Sequence, residues 1–180
     1  MTETLKIIGV CATAACLLIH LSTFLPNLDV SMRQVFYMHF VIIILFGSMV
    51  LSTIKVIKSG KGSYDLQNRI GTFRSMLKAI PIPAQLMAGF FFVYALINFA
   101  VFIVLMEGGS PSASDGLYYL HNHGQKIRDL TSAEYRRFLA YEVRGFSGHW
   151  IIFSLIPTIF YFYREGILNA IRGNKDGPES

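Results

Sequence analysis

The residues with the widest chemical reach in this chain are its histidines: His20, His39, His121, His123 and His149. An imidazole can ligate zinc, copper or haem iron, or change charge near neutral pH. His20, His39 and His149 fall inside or at the edge of long apolar runs, where they are the candidates for holding haem b or a transition metal. No His-x-x-x-His or His-x-x-His pair occurs in any run, so helical spacing offers no ready clamp. His121 and His123 stand at i and i+2, which on a strand puts them on one face and makes them metal-ligand candidates. The default expectation is that nothing is bound. An imidazole buried in an apolar span without a carboxylate is kept neutral by desolvation and donates to a carbonyl or a water.

Other chemistries find little support. Cys11 and Cys16 are five apart in one apolar run, about 140° around a helix, which argues against a disulfide and for small packing residues. Thiol exchange at an outer surface needs cysteine pairs there, and none is present. Among the acids, Glu134 reads as a helix cap and Glu142 as a surface partner of Arg144. Ser147-Gly-His149 is not a nucleophile elbow, and Gly60-Lys-Gly62 is too short to cradle a phosphate.

These residues are set in four apolar runs, at about 5–25, 35–54, 80–106 and 146–163. Each has roughly the 20 residues needed to cross a hydrocarbon core about 30 Å thick. In lipid the backbone must satisfy itself, so the runs are expected to be helices. Hydrophobic residues make up 53% and charged residues 15%, which fits a membrane chain. The expected fold is an all-α membrane protein of one domain, an up-down bundle of four transmembrane helices. The first run ends at Phe24-Leu25-Pro26 with no small-residue cleavage site and reads as a retained span rather than a cleaved signal.

Charge sets the expected orientation. The segment 55–79 carries Lys55, Lys58, Lys61, Arg69, Arg74 and Lys78 against Asp65, and the tail carries Arg164, Arg172 and Lys175. Positive residues stay cytoplasmic, so both termini and the basic loop are placed inside. The loop near 26–34 and the long loop 107–145 are then outside, which puts all five histidines on the outer side. In this setting the pI of about 9.3 points to anionic headgroups, bound by the same six basic residues, and not to nucleic acid.

The loops carry local signals. Ile70, Phe73, Leu77 and Ile80 share a helical face flanked by basic residues. They form either a helix lying on the inner leaflet or an extension of the third span. Pro81 and Pro83 mark that span's entry. In the outer loop, 107–115 reads as a Gly/Ser linker. Residues 117–127 read as a β-hairpin turning at Asn122-His123-Gly124. Thr131 and Glu134 form a capping box opening a helix to about Arg144.

Helical phase sorts the spans. Gly9, Thr13, Cys16 and His20 share a face, as do Ala84, Ala88, Ala95 and Asn98, so His20 and Asn98 are expected inside the bundle. Pro157 removes an amide and frees the carbonyl of Phe153. The aromatics Phe90–Phe92, Trp150 and Phe160–Tyr163 are expected to face lipid and its interfaces.

Span count and size match two broad groups, four-helix b-type cytochromes and immunity proteins against pore-forming toxins, but no motif ties the chain to either. The reading is a small integral inner-membrane protein, bacterial and non-enzymatic, in a binding, accessory or immunity-like role. Its partner would be a protein met at the outer loop or within the membrane. The alternative is a membrane redox protein using the outer histidines.

Overall fold

The structure, a computed structural model, describes residues 2–25, 30–58 and 66–173, the last of these with side chains over 70–172. Its elements in order are α1 (Thr2–Ser22), α2 (Met32–Val35), α3 (Met38–Lys58), α4 (Leu66–Lys78) and α5 (Ile82–Leu105). Three strands follow, β1 (Ser110–Ser114), β2 (Leu117–Asn122) and β3 (Gln125–Leu130), and then α6 (Ser132–Phe162) and α7 (Arg164–Gly173). Among the described residues, α1, α3, α5 and α6 are long and apolar enough to cross a membrane.

The four are not equivalent. In its most apolar stretch α6 is 72% buried, against 22% for α1 and 11% each for α3 and α5. So α6 is the central helix, and α1, α5 and α3 each pack on it. The close approach rests on small residues. A Cβ on Gly9 of α1 would come within 2.5 Å of Thr158 Oγ1. A Cβ on Gly145 would meet the Phe102 ring, and one on Gly148 the Asn98 amide. Between spans in lipid, van der Waals contact and a few hydrogen bonds drive association, so removing side-chain bulk lets helices close. The two expected inward faces are present: Gly9, Cys16 and His20 are buried on α1, and Ala95 and Asn98 on α5.

The capped outer helix and the fourth span are one helix of 31 residues, running through Pro157 without a break. The expectation of two elements separated near Arg144 is corrected. Nothing between 144 and 146 breaks a helix, and buried Gly145 is accommodated by the Phe102 ring. Thr131 caps its start: its Oγ1 accepts from Glu134 N at 3.2 Å, and its own amide donates to Glu134 Oε2 at 2.8 Å.

Aromatic placement differs in part from the belt expectation. Phe90, Phe92 and Phe162 are exposed, but Trp150, Phe160 and Tyr161 are buried. They belong to the central helix, whose flanks are covered by its neighbours; Tyr161 Oη lies 2.6 Å from Ser48 Oγ of α3. Cys16 is buried as a packing residue, whereas Cys11 is exposed, and both thiols are free.

At the far end of α6, α4 and α7 pack against each other. Ile167, Leu168 and Ile171 of α7 are buried with Val56, Phe160 and Tyr161, and Met76 of α4 packs on them. The basic-loop segment is therefore a helix distinct from the third span, broken before Pro81. The Gln85 side chain donates to the Leu77 and Ile80 carbonyls at 2.9 and 2.7 Å, closing its C-terminal end. Ile70 and Phe73 remain exposed on it.

The loop after α5 is a three-stranded antiparallel sheet in the order β1-β2-β3. The 110–114 stretch, read as linker, is the edge strand β1, where Pro111 is tolerated. Asp115-Gly116 and His123-Gly124 form two-residue turns, with φ of 53° and 76° and of 48° and 81°. Two successive positive φ values match the twist of a tight hairpin. Leu120 and Leu130 pack with Met106 and Phe138, which joins the sheet to α5 and α6.

Candidate functional site

A polar network sits where α1, α5 and α6 meet. His20 Nδ1 lies 2.8 Å from Ser147 Oγ, and Nε2 contacts Tyr94 Oη. The Ser147 hydroxyl donates to the Arg144 carbonyl at 3.3 Å. The hydrogens then follow one direction: Tyr94 O–H donates to Nε2, Nδ1–H donates to Ser147, and Ser147 donates onward. That order is satisfied by a neutral imidazole. His20 and Ser147 are 3% and 0% exposed, so this ring is a structural tie with both nitrogens in use.

The same level of α6 holds two further ties. Asn98 Nδ2 donates to the Arg144 carbonyl at 2.9 Å, with a longer contact to Gly145 O at 3.3 Å. Arg144 reaches α1: Nε donates to Thr23 Oγ1 at 3.0 Å and a terminal nitrogen to Thr23 O at 2.5 Å. Its guanidinium lies 3.9 Å from the centre of the Phe24 ring, a cation–π contact. The expected Glu142–Arg144 surface pair is corrected. Arg144 turns to the open C-terminal end of α1, where carbonyls lack helical partners and favour a cation.

His39 and His149 belong to a different place, a groove between α3 and α5 floored by α6, with a volume of about 580 Å³. The His39 ring lies 4.8 Å from Trp150, and the His149 ring 5.1 Å from Phe99. Each donates Nδ1–H to a backbone carbonyl three or four residues earlier, His39 to Phe36 O at 3.2 Å and His149 to Gly145 O at 3.0 Å. A carbonyl can only accept, so in the neutral form of each ring it is Nε2 that carries the lone pair. So His20, His39 and His149 meet α6 at one level, residues 145–150, and His39 and His149 line a common cavity.

The sheet does not bring its histidines together as expected. His121 is on β2, while His123 occupies the left-handed first position of the β2–β3 turn, so the two do not share a strand face. Among the described residues no group of three metal-ligating side chains occurs.

The sheet's own polar centre is Arg128. Its Nε and a terminal nitrogen reach Glu107 at 3.1 and 3.3 Å, and Nη1 reaches Glu134 Oε1 at 2.9 Å. One guanidinium thus bridges the end of α5 to the start of α6. Bonds from the Thr131 amide, then from Arg128 and the Thr131 hydroxyl, pull the Glu134 carboxyl down to about 2. Arg128 was not legible as a site residue, since its partners lie 21 and 6 residues away.

Of the basic residues assigned to headgroups, Lys55 and Lys58 close the last turn of α3, and Arg74 and Lys78 lie on α4. Lys61 and the side chain of Arg69 fall outside the described residues. Comparison with protein-family models, curated proteins and solved structures gave no match.

Proposed function

We propose that this chain is a small multi-pass inner-membrane protein that works by binding, with the sheet and the adjoining first turns of α6 as its recognition surface. The observation that carries the reading is the continuity of α6. One helix runs from the Thr131 cap beside the sheet to Phe162 at the opposite end. A partner held at the sheet is thereby coupled to the axis on which α1, α3 and α5 pack. Tyr118 stacks on Tyr135 and Leu120 is buried, so alternation turns Leu117, Tyr119 and His121 away from the helix. That free face is aromatic and polar, the composition that protein interfaces favour.

An up-down bundle agrees with the residue pairs: α1 meets α6 as His20–Ser147 and Gly9–Thr158, and α3 meets it as Phe46–Phe153 and Ser48–Tyr161. The charge bias puts both termini, α4 and α7 on the cytoplasmic side, against anionic headgroups, and the sheet outside. A haem or metal role would fall to His39 and His149, because both nitrogens of His20 are engaged.

The test is site-specific photo-crosslinking in native membranes. A photoreactive residue at Tyr119 should give one discrete protein adduct, and the same residue at lipid-facing Leu96 should not. Adducts from neither position, or equally from both, would remove the recognition surface.

A further inference from the structure

Six side chains define the character of the groove between α3 and α5: His39, His149, Trp150, Phe46, Phe99 and Phe146. The volume of about 580 Å³ is that of a small-ligand site. His39 is the second residue of α3 and Phe46 lies two turns further on, so the imidazoles stand at one end of the groove and hydrocarbon lines the other. No bond to Nε2 of either ring is made among the described residues, since each ring uses only Nδ1. The groove therefore offers hydrogen-bond acceptors at its head and aromatic surface along its length. It holds no Arg or Lys, so a ligand with carboxylates, haem included, would find no counter-charge there.

Gly47 adds a second, independent feature. A Cβ built on it has nothing within 4 Å, so the wall of α3 is open at that point because a side chain is missing. Gly145, at the floor, differs: its Cβ position is already filled by Phe102.

We propose that this groove binds a neutral, membrane-soluble phenol of the hydroquinone class. Its ring hydroxyl donates to Nε2 of His39 or His149, its ring stacks among the aromatics, and its alkyl tail lies past Gly47 toward the middle of the bilayer. The acceptors select a hydroxyl over its ether, because an ether cannot donate and would leave the imidazole lone pair facing an apolar ligand.

Trp150 is the sole tryptophan and lines the groove, so its fluorescence reads occupancy directly. The full-length protein, purified in detergent, is titrated with 2-decyl-1,4-benzohydroquinone and, separately, with the dimethyl ether of the same compound. The hydroquinone should produce a saturable change, with the ether about ten-fold weaker, the worth of one hydrogen bond. Gly47→Leu should abolish the saturable change with helix content retained. The double variant His39→Ala/His149→Ala should bring the hydroquinone down to the ether's affinity; if it does not fold, the ether comparison and Gly47→Leu decide. No saturable response, equal affinity for the ether, or full binding by Gly47→Leu would overturn the proposal. So would a haem Soret band in protein from native membranes.

Discussion

Ser147 Oγ lies 2.8 Å from His20 Nδ1, joining residues 127 apart in sequence. This contact and the Tyr94 contact on the opposite ring nitrogen let one imidazole hold α1, α5 and α6 at a single level. In the interior of a span a polar group with no partner is costly, and here each group has one. The network explains why a histidine can sit on the small-residue face of α1.

His20→Ala should therefore destabilise the protein by about 1–3 kcal/mol, because it takes one partner from the buried Ser147 hydroxyl and the partner of the half-buried Tyr94 hydroxyl. Ser147→Ala should cost less, about 0.6 kcal/mol, near the mean for hydrogen bonds between spans. Denaturation in mixed micelles measures both. Equal stability of wild type and His20→Ala would mean that the ring is not a tie.

Gly148→Ala should be costly, because the new methyl group meets the Asn98 amide. Overpacking of this kind costs about 1–3 kcal/mol, and it should also loosen the Asn98–Arg144 carbonyl bond. Gly89→Ala is the matched comparison on α5, where the added Cβ meets nothing within 4 Å. The two variants should separate clearly in the same unfolding assay.

Thr131→Ala removes the N-cap acceptor and should loosen the start of α6 by about 1 kcal/mol. Amide exchange across 132–136 should speed up, with 150–160 unchanged. Exchange unaltered at Glu134 would mean that the cap is not used.

How much of this was legible depended on whether a signal was local. The Thr131–Glu134 box lies within four residues, and the phases of His20 and Asn98 follow from helical spacing, so both could be read directly. That α6 is central could not be read from hydropathy, which treats every span alike. Its run of Gly145, Ser147, Gly148, Ser154 and Thr158 was a signal for close packing on several sides. Trp150, Phe160 and Tyr161 were assigned to the lipid because composition alone ignores which helix is surrounded. Strand β1 was missed because Ser-Pro-Ser-Ala-Ser reads as linker, although Asp115-Gly116 is a strong hairpin turn. The pairing of His39 with His149 joins α3 to α6, which no spacing encodes.

The sheet's tie to α6 should be acid-resistant. The Glu134 carboxyl titrates at about 2, below its ordinary 4.5. A carboxylate depressed on folding stabilises fully above its unfolded value and loses that contribution as pH falls through its folded value. The contribution should thus persist at neutral pH and fade between pH 4.5 and about 2. A carboxyl-carbon NMR titration should show Glu134 well below the other acids, and Arg128→Met should raise its midpoint. A midpoint near 4.5 in the wild type would contradict the Arg128–Glu134 pair.

Recognition of an outside partner requires the sheet to lie on the outer side of the membrane. The most direct measurement is labelling of single cysteines by a membrane-impermeant maleimide in a background lacking Cys11 and Cys16. Leu117 on the sheet is 64% exposed, and Lys58 ends α3 beside the basic loop. Leu117→Cys should label in intact cells, and Lys58→Cys only after the membrane is opened. Labelling of Lys58→Cys in intact cells, with Leu117→Cys protected, would contradict the orientation and remove the sheet as an outward-facing recognition surface.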